Sequence, residues 1–468
     1  MAKAVLTVGE KKIEDIKCEI LLPNDRIGKI KIRLYPVKDA YQEILPYFKF
    51  VFDAKTEEVE FHSDNVNIIK GESKYYDQVW VENYIELEAN GFLVAKNIAS
   101  SIQQHALVQF WISPNDKINV KTIIEKMQNG SVNVTYCHPE LLKFKLCDNM
   151  FLQFDKMYDY EKNGKGYTAT PYLVAVITGS FSFSNINEVN SMLSQRINEF
   201  LLLVSFAFRT RIVWTGFETI VEGKLYSYYR GNCSFPDGQS RDSLNDGVIL
   251  YSDFKEFMDQ AYIVFEKSEY KDSLRKAIFV LCPGNNQNIL VEENYLMLFA
   301  ALESIVLIYR KLNNKEFILP EIECRKLSKA IRKIVKDQLD DKIKRNSLYS
   351  KIPELNRVAL RNVFNDFCKA YNIDLSSLWK VFEENDKKPG LSDIRNKLIH
   401  GDTQEMFGFL SYAHQHLEYI LERIICKLLN WSLDRTEINS SVLKRNVISV
   451  NKFSLIKEEV EVTFKTLK

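Results

Sequence analysis

The chain has six histidines: His62, His105, His138, His400, His414 and His416. Histidine is the side chain best suited to moving a proton near neutral pH. One of them has neighbours with chemical content. The run Leu391-Ser392-Asp393-Ile394-Arg395-Asn396-Lys397-Leu398-Ile399-His400-Gly401-Asp402 reads as a short helix with Leu391, Ile394 and Leu398 as its buried stripe. Asn396 and His400, four residues apart, project together, and Arg395 lies one step round on the flank of the same polar side. A cation, an amide and an imidazole therefore gather at a helix edge just before a glycine. Phosphodiester chemistry needs this combination. Arginine supplies a planar, permanently charged fork for phosphate oxygens, histidine takes or gives the proton, and asparagine orients either one. With 18 arginines and six histidines, composition alone produces roughly 0.2 Arg-x4-His pairs in a chain of this length. The plainer alternative is that Arg395 pairs with Asp393 or Asp402 and His400 interacts with the helix dipole.

The other histidines carry less. His414 and His416 are two apart on a helix and cannot share a face, which rejects a simple two-His metal pair. His62, His105 and His138 fall in strand-rich sequence without ligand partners close by, and read as surface or structural residues. No zinc ligand set is visible, and the eight cysteines contain no CxxC pair, so they read as reduced, cytosolic cysteines. Glu303 interrupts the apolar run Phe299 to Ile308. If buried it needs a partner, for which Arg395 is available; otherwise it is an exposed glutamate. Arg325, Lys329, Arg332 and Lys336 recur along one side of a helix and form a row that can track an RNA backbone or simply face solvent. Lys397, inside the His400 run, joins them as a candidate RNA contact. Tyr228-Tyr229-Arg230 and Lys74-Tyr75-Tyr76 offer rings for base stacking, although tyrosines at strand ends more often pack.

The elements that must position these residues change character along the chain. Residues 1–285 show short alternating runs, such as Ile30, Ile32 and Leu34 between Lys29, Lys31 and Arg33, separated by turn signals. This predicts an antiparallel sandwich or barrel-like domain. A helix is expected over about 187–208, capped by Asn185 or Asn187, and another helical stretch over 251–281. After Pro283-Gly284-Asn285 the pattern becomes helical: 290–312, 321–345, 354–371, 375–385, 391–400 and 404–430. Residues 286–432 therefore read as an all-α bundle. The tail, 433–468, alternates at Val447, Ser449, Val450 and Phe453 and reads as a possible β-hairpin. The expected class is α+β.

Composition bounds the function. With 46% hydrophobic and 27% charged residues, the chain has ample material for folded cores. The net charge of +1 excludes a chain-wide basic coat of the kind that binds nucleic acid non-specifically. Region by region it is about −4 over 1–285, about +3 over 286–432 and about +2 in the tail, so the positive share lies with the helices. No signal peptide and no apolar run of membrane-spanning length is visible, so a cytoplasmic protein without membrane partners is expected.

An all-α bundle bearing Arg-Asn-x-x-x-His ahead of a long final helix resembles a HEPN domain. Such domains are identified by an Arg-x4–6-His motif, often with a polar residue directly after the arginine. Arg395-Asn396-Lys397-Leu398-Ile399-His400 fits, with asparagine in that place. Arg-Asn-Lys-Leu-Ile-His-Gly, behind a helix bearing Ala301-Leu302-Glu303-Ser304, resembles the ApeA-like branch, in which a β-rich N-terminal domain precedes a C-terminal HEPN domain. The resemblance is specific over about 290–430 and architectural over 1–285. It implies a metal-independent endoribonuclease without cofactors, working as a homodimer whose two motifs meet in a cleft. Attack of a ribose 2′-OH on the adjacent phosphate would leave 2′,3′-cyclic phosphate and 5′-OH ends. His400 would be general acid or base, Arg395 would stabilise charge at phosphorus, and Asn396 would position either. It further implies anti-phage defence by abortive infection, with RNA, tRNA among the candidates, as substrate and a phage-derived trigger. The β-domain would regulate or sense. A non-catalytic HEPN module for dimerisation or RNA binding is the main alternative; such modules often lose the arginine or histidine, and both are present here. In a third reading the β-domain binds a protein or carbohydrate and the helices only oligomerise it.

Overall fold

The computed structural model describes the chain except residues 1, 24–25, 27, 37, 45, 77–78, 99–106, 116, 119–122, 129–130, 137–141, 164–165, 181–182, 184, 232–246, 283–288, 384–388, 402–406 and 467–468. His105, His138, Asp402 and the Pro283-Gly284-Asn285 break lie outside the described residues, as do the side chains of Lys74, Tyr75 and Tyr76.

The fold is α+β, with an N-terminal β-barrel and a C-terminal helical region. The strands are β1 (Ala2–Val8), β2 (Lys11–Leu21), β3 (Ile30–Tyr35), β4 (Lys49–Lys55), β5 (Val59–Tyr76), β6 (Val79–Ala89), β7 (Phe92–Asn97), β8 (Leu107–Ile112), β9 (Ile123–Gln128), β10 (Ser131–Tyr136), β11 (Lys143–Cys147), β12 (Met150–Asn163), β13 (Gly166–Gly179), β14 (Trp214–Val221) and β15 (Lys224–Tyr229). Thirteen of them form one sheet in the order β11-β12-β13-β8-β14-β15-β7-β5-β4-β1-β2-β3-β6. The long strand β5 closes the barrel: it pairs with β4 over Glu60–Asn67 and with β6 over Val66–Tyr76. Closure of the ring β5-β4-β1-β2-β3-β6 removes the open edges of those six strands. The alternation read at Ile30, Ile32 and Leu34 is the inward face of β3, and all three are fully buried.

The helices are α1 (Lys38–Ile44), α2 (Ile186–Phe208), α3 (Phe254–Lys267), α4 (Lys271–Leu281), α5 (Val291–Leu312), α6 (Glu321–Gln338), α7 (Lys342–Lys351), α8 (Leu360–Ala370), α9 (Leu391–Ile399), α10 (Phe407–Leu428), α11 (Ser440–Asn446), α12 (Ile448–Asn451) and α13 (Phe453–Thr466). Asn185 caps α2 by accepting the Glu188 N–H at 3.1 Å, satisfying an N-terminal donor that has no intrahelical partner. Contacts divide the chain into two units: residues 1–243 with 254–262, and residues 244–253 with 263–468. The helical unit therefore begins before the glycine-proline break, and it includes the tail. Within it, α5 is the hub. Helices α4, α8, α9 and α10 pack against it, and Leu298, Leu302, Ile305 and Val306 are buried there.

Two expected elements differ. The tail is helical, not a hairpin. Leu443, Val447 and Val450 are buried, as are Ile456 and Val460; their spacings of four and three residues are those of a helix face. The expected helix over 375–385 is irregular through residue 383, because its backbone groups are used elsewhere. The Trp379 N–H donates to His416 Nδ1 at 3.0 Å, and the carbonyls of Lys380 and Val381 accept the Leu391 and Ser392 amides at 3.0 and 2.9 Å. Smaller breaks divide two other stretches. Residues 268–270 separate α3 from α4, and α6 ends before Asp341, which caps α7 by accepting the Ile343 N–H at 2.8 Å.

Candidate active site

Helix α9 carries the arginine–asparagine–histidine run. Its stripe is buried as the spacing requires, with Leu391 and Ile394 fully inside and Leu398 at 7% exposure. Asp393, at the third helical position, accepts the Gly390 N–H at 2.8 Å and closes the first turn. A Cβ at residue 390 would lie 2.9 Å from the Val381 carbonyl oxygen and 3.0 Å from the Glu383 nitrogen, so only glycine fits there. The Tyr295 hydroxyl of α5 donates to the Leu391 carbonyl at 2.8 Å. At the other end the His400 N–H donates to the carbonyls of Asn396 and Lys397, both at 3.1 Å. Gly401 follows with φ +85°, the left-handed ending that favours glycine.

Helix α5 cradles the guanidinium of Arg395. Glu303 Oε2 lies 3.6 Å from Arg395 Nη2, with the two side chains 27% and 33% exposed. Phe299, one turn earlier on α5, has its ring centroid 5.8 Å from Arg395 Cζ. Arg395 Nη1 donates to Asn396 Oδ1 at 3.1 Å. The carboxylate amid the apolar run is therefore half-buried and paired with Arg395, while Asp393 is used as a cap. The cation is oriented from below by an aromatic face and from the side by a carboxylate, leaving the rest of its fork to solvent.

The structure thus gathers Arg395, Asn396 and Glu303. His400 stands one turn along α9 from Asn396, exposed, and among the described residues its ring makes no hydrogen bond. Lys397 is half-buried. Arg325, Lys329, Arg332 and Lys336 are all exposed and form one cationic face of α6, with Arg325 paired to Glu321. Helix α6 packs on α7 and on the turn 352–356. Phe299 was not singled out in the sequence, although its position four residues before Glu303 places both on one helix face.

Among the described residues the other three histidines have structural partners; His414 Nδ1 lies 3.6 Å from Glu418 Oε1. His416 is fully buried. Because Nδ1 accepts the Trp379 N–H, Nε2 carries the proton and donates to the Ser449 carbonyl at 3.1 Å. Burial pushes its pKa down to about 4, the Ser449 bond opposing only in part. The folded pKa lies below the unfolded one, so this contribution to stability is complete above about pH 6.5 and is lost as pH falls toward 4. The expected loss is about 3 kcal/mol between pH 7 and pH 4. His416→Gln should flatten that part of the pH dependence of the urea midpoint. Equal slopes for variant and parent would contradict the assignment. His62 sits between Asp53 Oδ1 at 2.7 Å and Asp64 Oδ1 at 3.0 Å. Partial burial opposes its charge, but the two carboxylates outweigh burial and raise its pKa.

Tyr228 and Tyr229 pack against Phe217 and Trp111, with centroids 5.2 and 4.9 Å away, and Arg230 lies over Trp214. Their role is packing within the sheet. Among the described residues no group of three or more His, Cys, Asp or Glu side chains is placed to hold a metal ion, and no helix is long and apolar enough to cross a membrane. Compared with protein-family models, curated proteins and solved structures, the chain matches none of them.

Proposed function

We propose that the helical unit is a HEPN-type endoribonuclease that needs no metal. The observation that carries this reading is the exposed end of α9. There Arg395 is held by Glu303 and Phe299, bonded to Asn396, and followed one turn later by a solvent-facing His400. A phosphate docked on the open side of the guanidinium meets fixed positive charge where negative charge grows during in-line displacement. His400 transfers the proton of the 2′-OH or of the leaving 5′-oxygen. One protomer supplies one such histidine, and in-line displacement uses a base on one side and an acid on the other, so a homodimer with facing α9 helices completes the site. The cationic face of α6 supports the same reading as a track for the RNA backbone. A cytoplasmic role in arresting growth on phage infection, triggered through the β-domain, extends the proposal.

The test is cleavage of a defined RNA by purified protein in EDTA, with analysis of the ends. Products carrying 2′,3′-cyclic phosphate and 5′-OH are expected. A requirement for divalent metal, or 3′-OH ends, would overturn the mechanism.

A further inference from the structure

A cavity of about 380 Å³ opens in the helical unit between α8, the segment 373–382 and α13. That size lies within the range of small-molecule sites. Phe364, Ile373, Leu378, Val381 and Phe453 give it an apolar wall. Lys380 and Lys457 add two cations, and among the described residues no carboxylate lines it. Just outside, the Glu383 side chain, 6% exposed, lies 2.7 Å from Lys457 Nζ and 3.8 Å from Lys380 Nζ. One carboxylate between two ammonium groups leaves one positive charge in excess and holds both amines at the rim. Asn365 and Ser376 add neutral donors. The Cys368 thiol, pushed by burial up to about 12, stays protonated and repels no anion.

We propose that this cavity is a binding site for a small amphipathic anion, with an apolar body against Phe364, Val381 and Phe453 and a carboxylate or phosphate head held by Lys457 and Lys380. The apolar wall supplies affinity through burial. The excess cation at the rim selects against neutral and cationic molecules of the same shape. The wall is also shared with the α9 site. The carbonyls of Lys380 and Val381 hold the first amides of α9, and Phe382 meets edge-on the Phe299 ring that lies beneath Arg395, centroids 6.5 Å apart. An occupant therefore presses on the segment that positions Arg395. That consequence rests on the nuclease reading; the binding itself does not.

The test is isothermal titration of the full chain with octanoate, octyl phosphate, octanol and octylammonium. Saturable binding of both anions is expected, with octanol at least about tenfold weaker and no binding of octylammonium. Lys457→Met should weaken octanoate about tenfold, and Ser376→Trp, which fills the rim, should abolish it. If Ser376→Trp does not fold, Lys457→Met carries the decision. Octanol or octylammonium binding as tightly as octanoate, unchanged affinity in Lys457→Met, or no saturable heat with either anion at millimolar concentration would overturn the proposal. RNA cleavage enters none of these readouts, so failure of the nuclease reading leaves them intact.

Discussion

Replacing His400 with alanine is expected to slow RNA cleavage by about 10²–10⁴-fold, the usual worth of a positioned acid or base, while the urea midpoint and oligomeric state stay as they are. The separation of activity from stability follows from the geometry. His400 is exposed at the end of α9, and among the described residues its ring makes no hydrogen bond, so truncation opens no cavity and orphans no buried group. Its backbone N–H still reaches the Asn396 and Lys397 carbonyls, and Gly401 still ends the helix. Arg395→Ala is a less clean experiment. It leaves the Glu303 carboxylate, 27% exposed, without its cation and uncovers Phe299, so lost activity would be mixed with local rearrangement. Single-turnover rates on one RNA in EDTA decide the matter. A His400→Ala protein that cuts at the parental rate would remove the histidine from the chemistry.

Arg423→Ala is expected to cost about 3–5 kcal/mol of stability, from two orphaned carbonyls at about 1–3 kcal/mol each and the cavity left by the side chain. Arg423 is 1% exposed on α10. Its Nε donates to the Ile438 carbonyl at 3.0 Å, Nη1 to the Asp374 carbonyl at 2.7 Å, and Nη2 to Ser440 Oγ at 3.3 Å. Burial lowers its pKa, and the nearby Asp374 and Glu422 charges oppose that shift. Truncation leaves two carbonyls without their donors and a cavity in the packed interior. Lysine cannot restore the set, because one ammonium does not reproduce a fork that reaches three partners. Urea unfolding of parent, Arg423→Ala and Arg423→Lys measures this; a loss below about 1 kcal/mol in the alanine variant would show that the network is not needed. The consequence reaches the candidate site through the chain: Arg423 fixes residue 374 at the start of the segment whose carbonyls anchor α9.

Much of the α9 site was legible because its signals are local. The spacing of Leu391, Ile394 and Leu398 places the stripe, and Gly401 places the end. The Glu303–Arg395 pair was legible only as an option, since a carboxylate inside an apolar run needs a partner but does not name it. The tail shows the opposite failure. Val447, Ser449, Val450 and Phe453 suggest an alternation, but Ser449 and Val450 are adjacent, so no two-residue period joins all four, and the helical spacing of Leu443, Val447 and Val450 prevails. The helix expected over 375–385 failed for another reason: propensity cannot register that distant groups take up the backbone of that segment.

By itself the sequence determined the α+β division, the alternation of strands such as β3, and a polar arginine–asparagine–histidine edge on a short helix. These depend on periodicity and capping, which act within a few residues. Only the tertiary structure decided that β5 closes a barrel with β6, that α5 sets Phe299 and Glu303 under Arg395, and that His416 and Arg423 are buried tethers while His400 faces water. Those outcomes depend on which distant groups satisfy a buried donor, acceptor or charge, and burial is a property of the packed chain, not of any local stretch of it.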